Sequence, residues 1–411
     1  MGFNNPMVPW RELERVLSDH ATSRGSHGRA PRSPVPNAGG DSPAWSNKRQ
    51  PYVAPAAPTR SRPVTPYAEL HCHSNFSFLD GASHPEELAE EAARLGLNAL
   101  ALTDHNGFYG VVRFAEAARA VGIATVFGAE LTLEGPKRSP AGVADPTGRH
   151  LVVLAADPTG YAALARAITQ AQMAGEKGAP RTTLADLRQL AGVGAPRAGS
   201  WRVLTGCRKG AVPGALVAEG PAAARRELRA LIDAFGREHV FVELWDHGEP
   251  LDSVRNDAMA ELAMSEQVDV VATNNVHYAT PARHRLATAL AAVRARRSLD
   301  EIDGWLPAAA MSHIRSGAEQ SRRFARYPGA VERAAELGLA CAFDLKLVAP
   351  SLPPFPCPAG MSEMDHLRQL TYEGAQRRYG PPPITGDTES LRARAYQIGR
   401  ASCRERVFKD V

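Results

Sequence analysis

The feature that most constrains the fold is a regular alternation of short apolar runs with longer amphipathic ones, from Tyr67 to about Ala279. The short runs are apolar or β-branched, and they predict buried strands. There are seven of them: Tyr67–Leu70, Ala99–Leu102, Ala124–Phe127, Leu151–Ala155, Arg202–Leu204, Val240–Leu244 and Val268–Ala272. Strands that alternate with helices predict a parallel sheet, and about seven repeats predict a barrel.

Amphipathic helices are predicted between several of these strands, at Pro85–Leu95, Val111–Val121, Ala222–Phe235 and Asp252–Gln267. A proline such as Pro85 costs no hydrogen bond at a first helical position, and Gly96 and Gly122 stand where two of these helices should end. The sequence therefore predicts an α/β protein with a barrel domain over residues 67–279.

The N-terminal segment, residues 1–66, is rich in Pro and Gly. Such a segment buries too little apolar surface to offset the entropy of ordering it. We therefore expect a flexible N-terminal extension. Trp10, Leu13, Val16 and Leu17 share one helical face within it and predict one short helix.

Helices are also predicted after the barrel. Residues 280–350 are rich in Arg and Ala and form a predicted helical extension, with helices at Ala282–Arg297 and Ala330–Leu339. A Pro-rich linker then leads to a separate region over residues 351–397, which contains a predicted helix at Ser362–Arg378.

Composition limits the class of protein rather than its activity. Of 411 residues, 44% are hydrophobic and 22% are charged, which is ordinary for a soluble protein of about two to three domains. The sequence has no apolar run of about 18 residues, so it predicts no membrane span. Nothing near Met1 has the apolar core of a signal peptide. Five widely spaced cysteines indicate a reducing cytoplasm rather than a disulfide framework. A net charge of +4 does not by itself indicate nucleic-acid binding.

Residue types that bind metals recur at the ends of the predicted strands. His71 and His73 directly follow the first strand, and residues two apart in an extended chain point the same way, so both imidazoles can meet one cation. Taken alone, this pair is equally consistent with two solvated histidines. Further candidates stand at or beside later strand ends: Asp80, His105, Glu130, His150, Cys207 and His277. Because barrel chemistry is built at several strand ends, the whole set predicts a metal centre.

The same residues carry a resemblance to a known family. The stretch Tyr67-Ala-Glu-Leu-His-Cys-His-Ser-Asn-Phe-Ser-Phe-Leu-Asp-Gly81, followed by Leu100-Ala-Leu-Thr-Asp-His105, resembles the start of a PHP (polymerase and histidinol phosphatase) domain of bacterial C-family DNA polymerases. The opening Trp10-Arg-Glu-Leu resembles their error-prone, DnaE-type branch. Residues 352–360 and 367–374 resemble that family's entry into its polymerase region.

This resemblance implies a distorted seven-stranded (β/α) barrel of the PHP type with up to three divalent metals, Zn²⁺ or Mn²⁺. Its implied ligands are His71, His73, Asp80, His105, Glu130, His150, Cys207 and His277, with Glu130 as the bridging carboxylate. Position 275 departs from the family pattern, which often has Asp there. Asn275 is a doubtful ligand, because a neutral amide binds a hard cation less well than a carboxylate does. One metal is therefore expected to be weakened or absent.

Five residues near these ligands have two interpretations each. Asp104 is expected to orient a ligand rather than to bind a metal itself. Arg208 and Lys209 either hold a phosphate or are surface charges. Glu243 and His247 either line the pocket or have a structural role.

Other chemistry-bearing residues are expected to lie apart from the centre. Cys72 should point away from the metals into the core, because it alternates with the two histidines. His284 and His313 are expected to face solvent. The clusters Arg294–Arg297 and Arg322–Arg326 are either nucleic-acid contacts or solvated helix faces.

For function, the resemblance implies the N-terminal part of an error-prone DNA polymerase that acts in translesion synthesis and DNA repair, with DNA and other replication or mutasome proteins as partners. Its PHP domain is either a metal-dependent 3′–5′ exonuclease or phosphoesterase, or a metal-poor scaffold. The alternative is a free-standing PHP phosphoesterase acting on small phosphate esters. The polymerase-like segments around Trp10 and after Pro353 favour the first interpretation.

The end of the sequence bears on polymerase activity. A polymerase holds two Mg²⁺ ions with palm carboxylates, and no paired-Asp candidate follows Arg378, so we expect this chain not to polymerise DNA. Residues 398–411 depart abruptly from the family pattern, and Ile398–Val407 back-translates to a common sequencing adaptor. We interpret them as a non-native tail, with a genuine short C-terminus as the alternative. Amplification of the genomic locus distinguishes the two.

Overall fold

Seven strands form one sheet, as predicted. The computed structural model describes residues 65–134, 148–176, 178–191, 199–302, 306, 310–345 and 355–381. Its strands follow one another in the sheet in chain order. They are β1 (Ala68–Glu69), β2 (Ala99–Leu102), β3 (Ala124–Leu133), β4 (Arg149–Ala155), β5 (Trp201–Leu204), β6 (Val240–Leu244) and β7 (Asp269–Ala272). The predicted α/β class with a curled seven-stranded sheet is confirmed.

The expectation of a wholly parallel sheet is wrong at one strand. β1, β2 and β3 are parallel, as are β5, β6 and β7, but β4 runs antiparallel to both of its neighbours. The reason is that β3 continues past its predicted end at Phe127, and its extension pairs with β4 from Gly128 opposite Leu154 to Leu133 opposite Arg149. The reversal brings the first residues of β4 to the edge where the parallel strands end.

The two outer strands of the sheet approach each other at this same edge. Beyond β1 and β7, Cys72 and Val276 form a parallel bridge. In it the His73 N–H donates to the Val276 carbonyl at 2.8 Å, and the Val276 N–H donates to the His71 carbonyl at 2.8 Å. The bridge brings the chain segments after β1 and β7 together at the end of the barrel where the candidate ligands lie.

Helices pack against the sheet and against one another. They are α1 (Pro85–Leu95), α2 (Val111–Val121), α3 (Pro158–Ala174), α4 (Leu184–Ala191), α5 (Ala211–Glu219), α6 (Pro221–Phe235), α7 (Asp252–Glu266), α8 (His284–Ala295), α9 (Gly317–Arg323), α10 (Ala330–Ala340) and α11 (Glu363–Tyr379). Short 3₁₀ turns lie at Arg237–His239, Pro281–Arg283 and Leu299–Glu301. The sequence predicted α1 and α2 with these bounds.

α10 belongs to the same packed body as the strands, although it follows the predicted barrel in the sequence. It packs on β1, β2 and β7. The approach is so close that a Cβ on Gly338 would lie 2.5 Å from the Cβ of Ala68. The hydrophobic core around it includes Cys72 and Cys341, so Cys72 is directed into the core as predicted.

The chain divides into two compact units, Met1–Val348 and Ala349–Val411. In the second unit, α11 begins at a cap in which the Ser362 side chain accepts a hydrogen bond from the Asp365 N–H. The helix predicted around Trp10 and the tail at 398–411 lie outside the described residues. Within the described residues, no helix has the length and apolar character needed to cross a bilayer. The predicted domain boundaries stay predictions.

Candidate metal centre

A buried carboxylate, Glu130, lies at the middle of the candidate site and is only 1% exposed. Its Oε1 lies 3.3 Å from His71 Nε2 and 3.1 Å from His150 Nδ1. Its Oε2 lies 3.5 Å from His73 Nε2 and 2.9 Å from His105 Nδ1. Each carboxylate oxygen therefore faces two imidazoles, as expected of a carboxylate that bridges two cations.

The strand extension that the sequence did not predict is what places Glu130. It lies on the added part of β3, where it forms an isolated parallel bridge with His105, just past the end of β2. On the other side, His150 of β4 is paired with Thr132. Thr132 and Glu130 are two residues apart and share a face of the strand, so His150 is a diagonal neighbour of Glu130.

A second buried carboxylate fixes the orientation of His71. Glu243 lies near the end of β6 and is fully buried, with its Oε1 2.7 Å from His71 Nδ1. The same oxygen accepts a hydrogen bond from Thr273 Oγ1 at 2.5 Å. A proton on Nδ1 then leaves the Nε2 lone pair directed toward Glu130 and His73, whose Nε2 is 3.1 Å away. Glu243 thus acts through His71, while its buried Oε2 has no hydrogen-bond partner among the residues that the structure describes.

Asp104 reaches the candidate ligands through serines. Its carboxylate accepts hydrogen bonds from the Ser74 N–H at 2.7 Å, Ser74 Oγ at 2.8 Å and Ser77 Oγ at 2.7 Å. Ser77 Oγ in turn lies 3.3 Å from His73 Nδ1 and accepts the His105 N–H at 3.1 Å. Neither serine was predicted from the sequence to have a role, although both lie in the stretch that carries the family resemblance.

A second group of side chains lies toward solvent from Glu130. Asp80 Oδ2 lies 3.0 Å from His105 Nε2 and 3.2 Å from His277 Nδ1. The other oxygen of Asp80 accepts a hydrogen bond from Nη1 of Arg294 on α8. Asp80, His105, His277 and Arg294 are called the outer cluster below, and His71, His73, His105, Glu130, His150 and Cys207 the inner cluster. His105 belongs to both.

The charges of the inner cluster are tightly coupled. Burial favours neutral His71, but the carboxylates of Glu243 and Glu130 outweigh it and raise the pKa of His71 well above its usual value. Burial likewise opposes protonation of His105, yet the carboxylates of Glu130 and Asp80 raise the pKa of His105 to about 10. Burial and the charge of His105 hold the pKa of His73 well below its usual value. Without a metal, protons on His71 and His105 therefore balance the buried carboxylate, and a cation must displace them.

The donors of the inner cluster fit divalent metals. Two groups, His71 with His73 and Glu130, and His105 with Glu130 and His150, each bring one donor atom per residue to within 4.8 Å of the others. Mixed imidazole and carboxylate donors suit Zn²⁺ or Mn²⁺. Cys207 Sγ lies 3.7 Å from Glu130 Oε1 and 3.8 Å from His150 Nδ1. Burial and the Glu130 charge raise the pKa of Cys207 well above its usual value, so it remains a thiol unless a cation is present.

Comparisons with known proteins agree with this picture. A family model described as PHP domain matches residues 69–247. Three proteins named error-prone DNA polymerase align with 93% of the chain: one from Nocardia farcinica at 48% identity, one from Mycolicibacterium paratuberculosis at 52%, and one from Mycobacterium tuberculosis at 51%. The chain thus contains a PHP domain and is similar, over 93% of its length, to proteins named error-prone DNA polymerase. It spans about a third of the length of these relatives, 33 to 36%.

The chain also resembles a solved structure over part of its length. It is described as a putative metal-dependent phosphoesterase from Bifidobacterium adolescentis, with 18% identity and a TM-score of 0.35 over 53% of this chain and 89% of the other. At this level the likeness does not bear on activity.

A cavity of about 350 Å³ opens beside the outer cluster of the PHP domain. Predicted residues line it, namely Asp80, Arg208, His247, Asn275 and His277. His247 donates from Nε2 to the Asn274 carbonyl at 2.7 Å, and burial lowers the pKa of His247 to about 4. Asn275 has a φ of 41°, and within the described part of the chain its buried Oδ1 has no hydrogen-bond partner. The Lys209 carbonyl accepts the His150 N–H at 2.9 Å.

Helix α8, which follows the barrel, also contributes to this cavity, a placement that the sequence pattern did not predict. His284 was expected to face solvent but lines the cavity, with its Nδ1 3.5 Å from Tyr278 Oη. His313, for which the same was expected, is half-buried and stacks on the Tyr278 ring at 6.5 Å between centroids. Arg294, taken as a nucleic-acid contact or a solvated charge, contacts Asp80. The available signal was the spacing of His284, Thr288, Ala291 and Arg294 on one helical face.

Proposed function

We propose that the PHP domain hydrolyses phosphodiester bonds with divalent metals held around Glu130, removing nucleotides from the 3′ end of DNA. The observation that supports this most directly is the carboxylate of Glu130, whose two oxygens each face a different pair of imidazoles. A metal-poor scaffold would have no evident use for four imidazoles gathered around a buried carboxylate, since buried charges are costly unless they are paired.

The family resemblance implies as ligands His71, His73, Asp80, His105, Glu130, His150, Cys207 and His277, with Asn275 as a weak contributor. The metal binding proposed here rests on the two groups of donors that contain Glu130. Zn²⁺ or Mn²⁺ is the proposed metal. The chemistry that such ions supply is the activation of water near neutral pH and the neutralisation of phosphoryl charge. Glu243 holds His71 in the tautomer that can bind a metal. Arg208 lines the cavity beside the outer cluster, and we propose that it and Lys209 hold a phosphate.

We propose that the longer protein to which this sequence corresponds carries out error-prone DNA synthesis, with Mg²⁺ at a polymerase site elsewhere. DNA is then its substrate, and other replication or mutasome proteins in the cytoplasm are its proposed partners. The support is identity of 48 to 52% over 93% of this chain to proteins named error-prone DNA polymerase. This identity extends well beyond the PHP domain on both sides, which favours the proposal over a free-standing phosphoesterase.

The test uses the 411-residue chain, stripped with a chelator and reloaded with Mn²⁺ or Zn²⁺, on a primer labelled at its 3′ end. We expect metal-dependent release of the 3′ nucleotide by the wild type and its loss in His71→Ala. His239→Ala is the matched control, because His239 precedes β6 at the opposite end of the barrel and should leave cleavage intact. Metal-free, inactive wild-type protein would support the scaffold interpretation. Hydrolysis of small phosphate esters without primer cleavage would support the free-standing phosphoesterase.

A further inference from the structure

We propose that Arg294 takes the place of a third metal ion, so that the centre binds two divalent cations and uses a guanidinium as its third positive charge. This inference rests on the proposed metal binding by the inner cluster. It concerns the outer cluster, where Asp80 and two histidines come together beside the cavity.

The outer cluster has the donors of a metal site. One oxygen of Asp80 lies within 3.2 Å of both His105 Nε2 and His277 Nδ1. A carboxylate oxygen between two imidazoles is a common arrangement around a divalent ion. The family resemblance implies up to three metals, and this is where a third would bind.

The other oxygen of Asp80 is already bound to a cation. It accepts a hydrogen bond from Arg294 Nη1, and an arginine side chain stays protonated at all ordinary pH values. Asp80 is the carboxylate that contacts His105 and His277 on this side, and Asn275 adds no charge. A divalent ion would share this single carboxylate with a guanidinium at close range, and the two positive charges would repel each other.

The inner cluster offers no such competitor among the described residues. The two groups of donors that converge closely enough to hold an ion both contain Glu130, and neither contains Asp80. These groups provide two positions for divalent ions. The arrangement of donors therefore matches two metals in the inner cluster and a guanidinium in the outer one.

α8 is shaped to bring Arg294 to this position. The cavity is lined by residues of one face of the helix, including Ala287, Thr288 and Ala291, whose short side chains leave room beside Arg294. Arg294 Nε is buried and has no hydrogen-bond partner within the part of the chain that is described. This N–H can donate to a phosphoryl oxygen in the cavity, which is the role a third ion would otherwise have.

The experiment measures metal content by equilibrium dialysis of the full chain against saturating Mn²⁺, followed by elemental analysis. We expect two ions per wild-type chain and three in Arg294→Ala, because Asp80 is then free to bind one. The double variant Arg294→Ala with Asp80→Asn should return to two. Arg294→Lys, which keeps a charge at this position, should also hold two. Arg285→Ala, on the exposed part of the same helix, is the matched control and should match the wild type.

Three ions in the wild type, or two in a folded Arg294→Ala chain, would overturn the proposal. A wild type that binds no metal would instead overturn the proposed function, and the inference with it. Circular dichroism melts of each variant establish that it is folded. If Arg294→Ala does not fold, Arg294→Gln, which removes the charge and retains most of the side-chain length, takes its place with the same expected gain of one ion.

Discussion

The inner and outer clusters use the same residue types but balance their charges differently. In the inner cluster, four imidazoles surround Glu130, and buried Glu243 orients one of them. In the outer cluster, Asp80 is shared between two imidazoles and a guanidinium beside an open cavity. A site whose charge is balanced only by exchangeable protons is ready to bind a cation, whereas one balanced by an arginine is already neutralised. Residue identity alone does not separate these cases.

The largest effect is expected from Glu130→Gln, which removes the carboxylate on which the inner cluster depends. Both groups of donors lose their shared ligand, so metal affinity should fall by more than about 100-fold, beyond the range for a residue that only orients a ligand. Isothermal titration calorimetry with Zn²⁺ measures this affinity. If Glu130→Gln still bound two ions tightly, Glu130 would not be the shared ligand that distinguishes the inner cluster from the outer one.

A pH-dependent effect is expected from His247, which lines the cavity near the outer cluster. Its pKa falls from 6.5 to about 4 on folding because of burial. The unfolded chain therefore binds more protons between these values, and this residue lowers the free energy of unfolding by up to about 3 kcal/mol as the pH falls from 6.5 to 4. The contribution is absent above pH 6.5.

His247→Gln tests this effect, because its amide can still donate to the Asn274 carbonyl. Urea unfolding of both proteins, in chelator, at pH 7 and at pH 4.5 isolates the contribution of the one residue. The variant should lose less stability than the wild type on acidification. Parallel losses would show that His247 is not held neutral in the fold.

A smaller effect on metal affinity is expected from Glu243→Gln. The amide oxygen can still accept from His71 Nδ1, but the charge that strengthens this contact is gone. Such second partners of a metal ligand typically change affinity by about 10- to 100-fold. Titration with Zn²⁺ should show this loss in Glu243→Gln and none in Glu266→Gln, whose carboxylate pairs with arginines on the surface. Equal Zn²⁺ affinity in both variants would show that Glu243 does not support metal binding by His71.

The smallest effect is a gain, expected from Asn275→Asp. Asn275 lines the cavity beside the outer cluster, and its buried Oδ1 has no hydrogen-bond partner among the described residues. A carboxylate there should bind a nearby ion about tenfold more tightly, since the added attraction is partly offset by the cost of burying the charge. Mn²⁺ titration measures the gain. An unchanged affinity would show that position 275 contributes no ligand.

Much of the fold follows from local pattern. The bounds of β2, β6, α1 and α2 agree with the periodicity of the sequence, because each is a short apolar run or an amphipathic stretch with its own end signals. The course of β3 beyond Phe127 could not be read this way. The direction of β4 depends on that extension, since a strand's direction is set by its partner and not by its own residues.

The residue types that recur at the strand ends, and with them the candidate ligands and the seven-stranded sheet, could be inferred from the sequence alone. How these residues are grouped depends on the folded structure. It placed His150 beside Glu130 by reversing β4, fixed His71 through Glu243, and brought Arg294 from a later helix onto Asp80. Hydrophobic periodicity depends on near neighbours in the chain. Electrostatic balance depends on distances in space between residues far apart in sequence, such as Asp80 and Arg294, which no local pattern encodes.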